Sequence, residues 1–119
     1  RGRLTVSDSL NFRAVVLDEN ATVLLSVGSP GNGSGNLQRP KGVALDSHGH
    51  LYVVDAIFDN VQIFDSRGGL LLAFGSAGGD AGEFALPAGI TIDERDVIYV
   101  ADPYNGRIQI FRLLDGGTG

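Results

Sequence analysis

Apolar residues in this chain come in short runs with alternating sides, not in helical stripes. Lys41 to Asp46 (KGVALD), Leu51 to Asp55 (LYVVD), Val61 to Asp65 (VQIFD) and Leu70 to Gly75 (LLLAFG) are β-branched, aromatic or leucine runs, each bounded by Gly, Asp, Asn or Ser. Runs of this kind form strands. No window of about eleven residues sets apolar residues at the three-and-four spacing of an amphipathic helix without a Gly or a turn cluster inside it. Alternation along the strands assigns Val43, Leu45, Val53, Ile63 and their copies to the packing between sheets. The pattern predicts an all-β protein of short strands and tight turns.

The pattern also repeats, at a spacing of 47 residues and without insertion or deletion. Gly2, Leu4, Val6 and Asp8 return as Gly49, Leu51, Val53 and Asp55. Pro40, Gly42, Asp46, Tyr52, Asp55, Gln62, Ile63 and Phe64 return as Pro87, Gly89, Asp93, Tyr99, Asp102, Gln109, Ile110 and Phe111. A period between about 20 and 50 residues marks stacked or radially arranged supersecondary units. Four short strands per unit select radial antiparallel sheets, the propeller solution to the exposed-edge problem.

The units Arg39 to Phe64, RPKGVALDSHGHLYVVDAIFDNVQIF, and Leu86 to Phe111, LPAGITIDERDVIYVADPYNGRIQIF, closely resemble NHL repeats. Their shared skeleton is P, G, apolar, x, apolar, D, then G or D, apolar, Y, V, x, D, then N or a stand-in, x, Q, I, F. A weaker third copy opens the chain. Laid on this repeat, the chain comprises a half-blade over 1–28, a connection over 29–40, a full blade over 41–75, a connection over 76–87, a partial blade over 88–114 and a tail over 115–119. That makes about two and a half four-stranded blades. The resemblance implies a six-bladed ring, which needs about 280 residues at this period. Either the chain is a portion of a longer protein, which its start at Arg1 inside a blade favours, or further copies complete the sheets.

Composition removes several classes of function. There is no Cys, hence no disulfide, zinc–thiolate or haem-attachment site, and no apolar run approaches the ~18 residues of a membrane span. The formal net charge is −5, with one Lys and eight Arg spread along the chain. Nucleic-acid binding needs clustered cations, often with interleaved aromatic platforms, and neither is visible here.

The candidate catalytic groups are few. His48 and His50 in SHGH are spaced to point to one side, as metal ligands would, but no third ligand at a sensible spacing accompanies them, so a polar hairpin turn and no metal is the reading. Asp46 and Asp93 end first strands; Asp8, Asp55 and Asp102 end second strands. Because every unit demands them, they are assigned to structure: Asp there accepts hydrogen bonds from turn N–H groups. Arg13 and Arg107 share a slot beside that corner, with Asn60 in the middle unit, and are expected to tie the corner to its Asp. Pro40 and Pro87 fix the beginning of each inner strand. The glycine-rich segments SPGNGSGN and SAGGDAGEF precede strands rather than helices, so they read as interblade connections and not as phosphate cradles.

Repetition reports fold; departure from it reports individuality. The loop between second and third strands reads SLNFR, AIFDN and PYNGR. Leu10, Phe12, Ile57, Phe58, Asp59, Tyr104 and Asn105 in these loops are the candidate partner-binding residues, on the face that carries the interblade connections. The flanking YVVDAIFDNVQIFD and YVADPYNGRIQIFRLL resemble bacterial NHL-repeat proteins that accompany multihaem c-type cytochromes in exported electron-transfer systems. That resemblance implies an extracytoplasmic, non-catalytic scaffold without a cofactor of its own, binding a cytochrome or another protein. The alternatives are a propeller hydrolase or lyase whose active residues lie outside this stretch, and a self-assembling structural unit.

Overall fold

The computed structural model describes residues 2–113; the expected tail over 115–119 lies outside the described residues. Their strands are β1 (Leu4–Asp8), β2 (Arg13–Leu17), β3 (Val23–Val27), β4 (Pro40–Leu45), β5 (Leu51–Asp55), β6 (Asn60–Phe64), β7 (Leu70–Phe74), β8 (Ser76–Ala77), β9 (Glu83–Phe84), β10 (Ile90–Ile92), β11 (Ile98–Asp102) and β12 (Arg107–Phe111). They form three antiparallel blades in the orders β1-β2-β3, β4-β5-β6-β7 and β10-β11-β12. The all-β repeat architecture read from the sequence is therefore the one observed.

Strand ends differ by a residue or two from the sequence-based boundaries, for one physical reason. Asp46, Asp65 and Asp93 leave their strands because each carboxylate is spent on closing the next turn. Asp46 Oδ1 accepts the N–H groups of His48 and His50, Asp65 Oδ1 those of Arg67 and Gly69, and Asp93 Oδ1 those of Arg95 and Val97, all between 2.9 and 3.0 Å. Asp18 does the same for Asn20 and Thr22. One acidic residue thus satisfies two turn donors in every such hairpin.

The period-two alternation sends the two sides of each strand to different neighbours. On β5, Leu51 and Val53 pack with Ala14, Val16 and Val27 of the first blade, while Tyr52 and Val54 pack with Ile98 and Val100 of the third. Every residue of β5 is consequently buried. Each interface is plugged by a residue from the interblade connection, Leu37 between the first two blades and Phe84 between the second and third, both with no exposed surface. Gly28 and Gly75 stand where these plugs land. A Cβ on Gly75 would lie 2.5 Å from the Phe84 ring, and its φ of +99° is one that side chains resist.

Two features were not legible in the repeat. A short parallel ladder pairs β8 with β9 inside the connection over 76–87. Single turns of 3₁₀ helix, Ser9–Asn11 and Pro103–Asn105, form two of the second-to-third-strand corners.

Candidate functional site

The corners between second and third strands are built on the Asp that ends each second strand, buried at Asp55 and Asp102 and partly exposed at Asp8. Asp8 Oδ2 accepts Arg13 Nε at 2.9 Å and Asn11 Nδ2 at 3.0 Å. Asp102 Oδ2 accepts Arg107 Nε at 3.0 Å, Asn105 Nδ2 at 2.9 Å and Gln109 Nε2 at 3.2 Å, while its Oδ1 accepts Ala85 N–H at 2.9 Å. Asp55 takes all four of its bonds from backbone N–H groups: Gln38 and Arg39 in the connection, Ile57 and Phe58 in the corner. Burial pushes the Asp102 carboxyl up, but the Ala85 N–H, Asn105, Arg107 and Gln109 together outweigh it and hold the group below the ordinary carboxylate range. Asp8 is lowered first by Asn11 and then by Arg13. Asp8 and Asp102 thus fasten the corner loops through their side-chain partners.

The same bonds bring the corners and the interblade connections onto one face. Ser9 Oγ donates to Pro40 O at 2.6 Å, Leu86 N–H to Asp59 Oδ1 at 2.8 Å, and Asn105 Nδ2 to Gly78 O at 2.9 Å. Each bond joins a corner to a connection, and Ser9 and Leu86 reach across to the neighbouring blade.

On this face the candidate binding residues divide into two groups. Leu10, Ile57 and Tyr104 share one repeat slot and are 92%, 46% and 75% exposed, forming a row of apolar tips. Phe12 and Phe58 are half-buried. Phe12 sits at φ 58° and Asp59 at φ 54°, the slot of Gly106 at φ 65°, so side chains there occupy a left-handed corner. Asp59 and Asn105 are engaged in the ties just described and stand behind the tips. Ser9, Gln62 and Gln109 are functional parts of the corner network that sequence reasoning did not single out. For the glutamines the signal was available, because they are one of the identical pairs of the repeat.

The other candidate chemistries resolve into structure. The glycine-rich connections close on their own side chains: Gly33 N–H donates to Asn36 Oδ1 at 2.8 Å and, in the equivalent slot, Asp80 N–H to Glu83 Oε1 at 3.0 Å. The rings of His48 and His50 stack at 6.0 Å, each beside a different carboxylate, Asp96 at 3.7 Å and Asp46 at 3.5 Å. Among the described residues no group of three or more His, Cys, Asp or Glu is placed to hold a metal ion, and no helix is long and apolar enough to cross a membrane.

Residues 37–64 and 84–111 match the family model of the NHL repeat. No curated protein matches the sequence. Among solved structures, the fold is similar to a streptogramin B lyase, at 14% identity and TM-score 0.64 over 94% of this chain and 37% of that one. It is also similar to a catalytically inactive virginiamycin B lyase from Staphylococcus aureus with quinupristin, at 10% identity and TM-score 0.62 over 93% and 38%. A third is the hydrazine synthase of Kuenenia stuttgartiensis, at 21% identity and TM-score 0.60 over 93% and 32%. The chain thus spans 32% to 38% of the length of these proteins, and at such identities the likeness is one of fold.

Proposed function

We propose that these NHL-repeat blades form a non-catalytic protein-interaction module whose contact surface is the row of corner tips. The observation that carries this reading is the repetition of Leu10, Ile57 and Tyr104 as exposed apolar residues in one slot of three successive blades. Apolar and aromatic anchors on a rigid, polar-rimmed face are what protein contacts use. Beneath them Asp8, Asp55 and Asp102 are committed to hydrogen bonds that fasten the corners, which supports a structural and not a proton-transfer role for these carboxylates.

The partner is an exported protein with a basic surface, and in the finer form of the proposal a multihaem c-type cytochrome of an extracytoplasmic electron-transfer system. Its support is the net charge of −5, which steers a basic partner and discriminates against acidic ones, together with the resemblance of the corner sequences to NHL proteins of that kind.

The test is site-specific photocrosslinking in the native host. A photoreactive residue at Leu10 or Tyr104 should yield a discrete protein adduct, and one at Glu94, on an exposed hairpin turn remote from the corners, should not. Haem staining of the adduct decides whether the partner is a cytochrome. Adducts from Glu94 but not from the tips would reject the proposed face.

A further inference from the structure

Asn60 occupies the slot that Arg13 and Arg107 fill in the other blades. In the third blade the Arg107 guanidinium reaches past Asp102 into the connection, donating from Nη2 to Asp80 O at 2.8 Å and Glu83 O at 2.9 Å. The equivalent carbonyls of the middle blade, Gly33 O and Asn36 O, stand in the same turn. Asn36 N–H donates to Gly33 O at 3.1 Å as Glu83 N–H donates to Asp80 O at 2.9 Å. The glutamine below is also in place, Gln62 Nε2 on Asn36 O at 2.9 Å as Gln109 Nε2 is on Glu83 O at 2.7 Å. The middle blade has kept the acceptors and lost the guanidinium.

An open cavity of about 330 Å³ lies beside Asn60, the residue in the arginine slot, lined among others by Asn32, Gly33, Ser34, Phe58 and Gln62. Two of its lining side chains carry buried oxygens with no donor, Asn60 Oδ1 and Gln62 Oε1, and Gln62 is only 3% exposed. In the third blade the matching oxygen, Gln109 Oε1, is satisfied by Gly82 N–H at 3.0 Å. A buried acceptor without a donor carries a free-energy cost that a ligand's N–H can recover. Asp55 lies fully buried on the strand paired with Asn60, its carboxylate held by four backbone N–H groups. Asp8 and Asp102 each have an Arg at 2.9 and 3.0 Å, and among the described residues Asp55 has no cation within ion-pair distance.

The demand is for a flat cation with several donors, because two unsatisfied oxygens, Asn60 Oδ1 and Gln62 Oε1, stand in the cavity beside the carbonyls that match the two held by Arg107. A guanidinium has that shape; an ammonium is a point charge. Phe58 supplies an aromatic wall, which a guanidinium also favours.

We propose that this pocket of the middle blade binds a guanidinium group, presented by an arginine side chain of the protein partner. The proposal rests on the interaction-module reading, since Phe58 in the pocket wall adjoins Ile57 on the rim. It gives that reading a chemical specificity: a partner whose docking segment carries an arginine.

The experiment titrates ¹⁵N-labelled protein with methylguanidinium, with the capped peptide Gly-Arg-Gly, and with n-butylammonium and capped Gly-Lys-Gly at matched ionic strength, following the side-chain amide signals of Asn60 and Gln62. Both guanidinium probes should give saturable shifts, with the ammonium probes weaker by about tenfold or more. Asn60→Arg should fill the pocket from within, abolish the shifts and raise the melting temperature. Arg107→Asn should free the matching acceptors of the third blade and open a second guanidinium site, weaker than the first because Asn105 stands in the slot of Phe58 and Gln109 Oε1 already has its donor, which keeps the idea testable if Asn60→Arg fails to fold. No saturable shift, equal response to ammonium, or undiminished binding in folded Asn60→Arg would overturn the proposal. Saturation by methylguanidinium but not by the arginine peptide would overturn the protein-borne source. The rim is judged separately: a pocket that binds both guanidinium probes while the corner tips yield no adduct rejects the docking face and upholds the pocket.

Discussion

Arg107 fastens its own corner to a distant piece of chain: it holds the end of β11 through Asp102 and the interblade connection through the carbonyls of Asp80 and Glu83. Its replacement by Ala leaves a fully buried carboxylate without its cation and takes one of two donors from each of the two carbonyls, so a loss of about 2–4 kcal/mol in denaturant unfolding is expected. The same change alters the acid limb. Asp102 is held below its ordinary value in the folded protein, so its contribution is fully present above the unfolded value of about 3.9 and is lost as pH falls through the lower folded value. In Arg107→Ala the opposing effect of burial gains weight and the folded value climbs. Melting curves from pH 7 down to 3 should therefore decline at higher pH in the variant than in the parent; superimposable acid limbs would show that Arg107 does not set this carboxyl. Ala21 offers the opposite sign. It sits at φ 65° in the slot where the next blade has Gly68 at φ 90°, a conformation that costs a residue with a Cβ about 1–2 kcal/mol. Ala21→Gly should stabilise by about 0.5–1 kcal/mol, after the greater freedom of glycine in the unfolded chain is subtracted.

At the level of elements the blades are held together by their connections as much as by their strands. Phe84 leaves β9 to seal the gap between the second and third blades, and it fits because Gly75 has no side chain. Gly75→Ala meets both a left-handed φ and the Phe84 ring, and should cost about 2–4 kcal/mol in thermal or denaturant unfolding. Adding Phe84→Ala relieves only the contact, so the double variant should lose less than the sum of the two single losses, and strict additivity would place the cost in the backbone alone. This level is also where sequence reasoning was strongest and where it stopped. The all-β repeat architecture and the alternation of buried faces were legible because a 47-residue period and a two-residue period impose them on every copy. The β8–β9 ladder and the 3₁₀ corners were not, because two- and three-residue elements carry no periodicity of their own. The rim was legible only as a loop: that Leu10, Ile57 and Tyr104 project while Asp59 and Asn105 turn back follows from bonds to Leu86 and Gly78, distant partners that local pattern cannot name.

Across the whole molecule, equivalent positions show how much each blade depends on a neighbour. Val61 and Ile63 of the middle blade are 0% and 1% exposed, whereas Ile108 and Ile110, their copies in the third, are 66% and 64% exposed. The side of the third blade that matches the middle blade's covered face is bare, and on the opposite flank Leu4 and Val6 are exposed where Leu51 and Val53 are fully buried. The two flanks are complementary, because one repeats the surface that covers the other between adjacent blades. Contact of the Leu4 flank of one copy with the Ile108 flank of the next would then be heterologous, head to tail, and would continue until a ring closes. The residues 1–119 on their own should accordingly bind a hydrophobic dye and show a mass above the monomer by light scattering, increasing with concentration. Replacing Ile108 and Ile110 by Asp should return the mass to the monomer and reduce dye binding, with the strand signature in circular dichroism unchanged, since both side chains leave the blade's own core untouched. A chain that is monomeric and dye-silent at every concentration would mean that these flanks are satisfied without a neighbour, and that blade-on-blade packing contributes less to this fold than the burial of β5 implies.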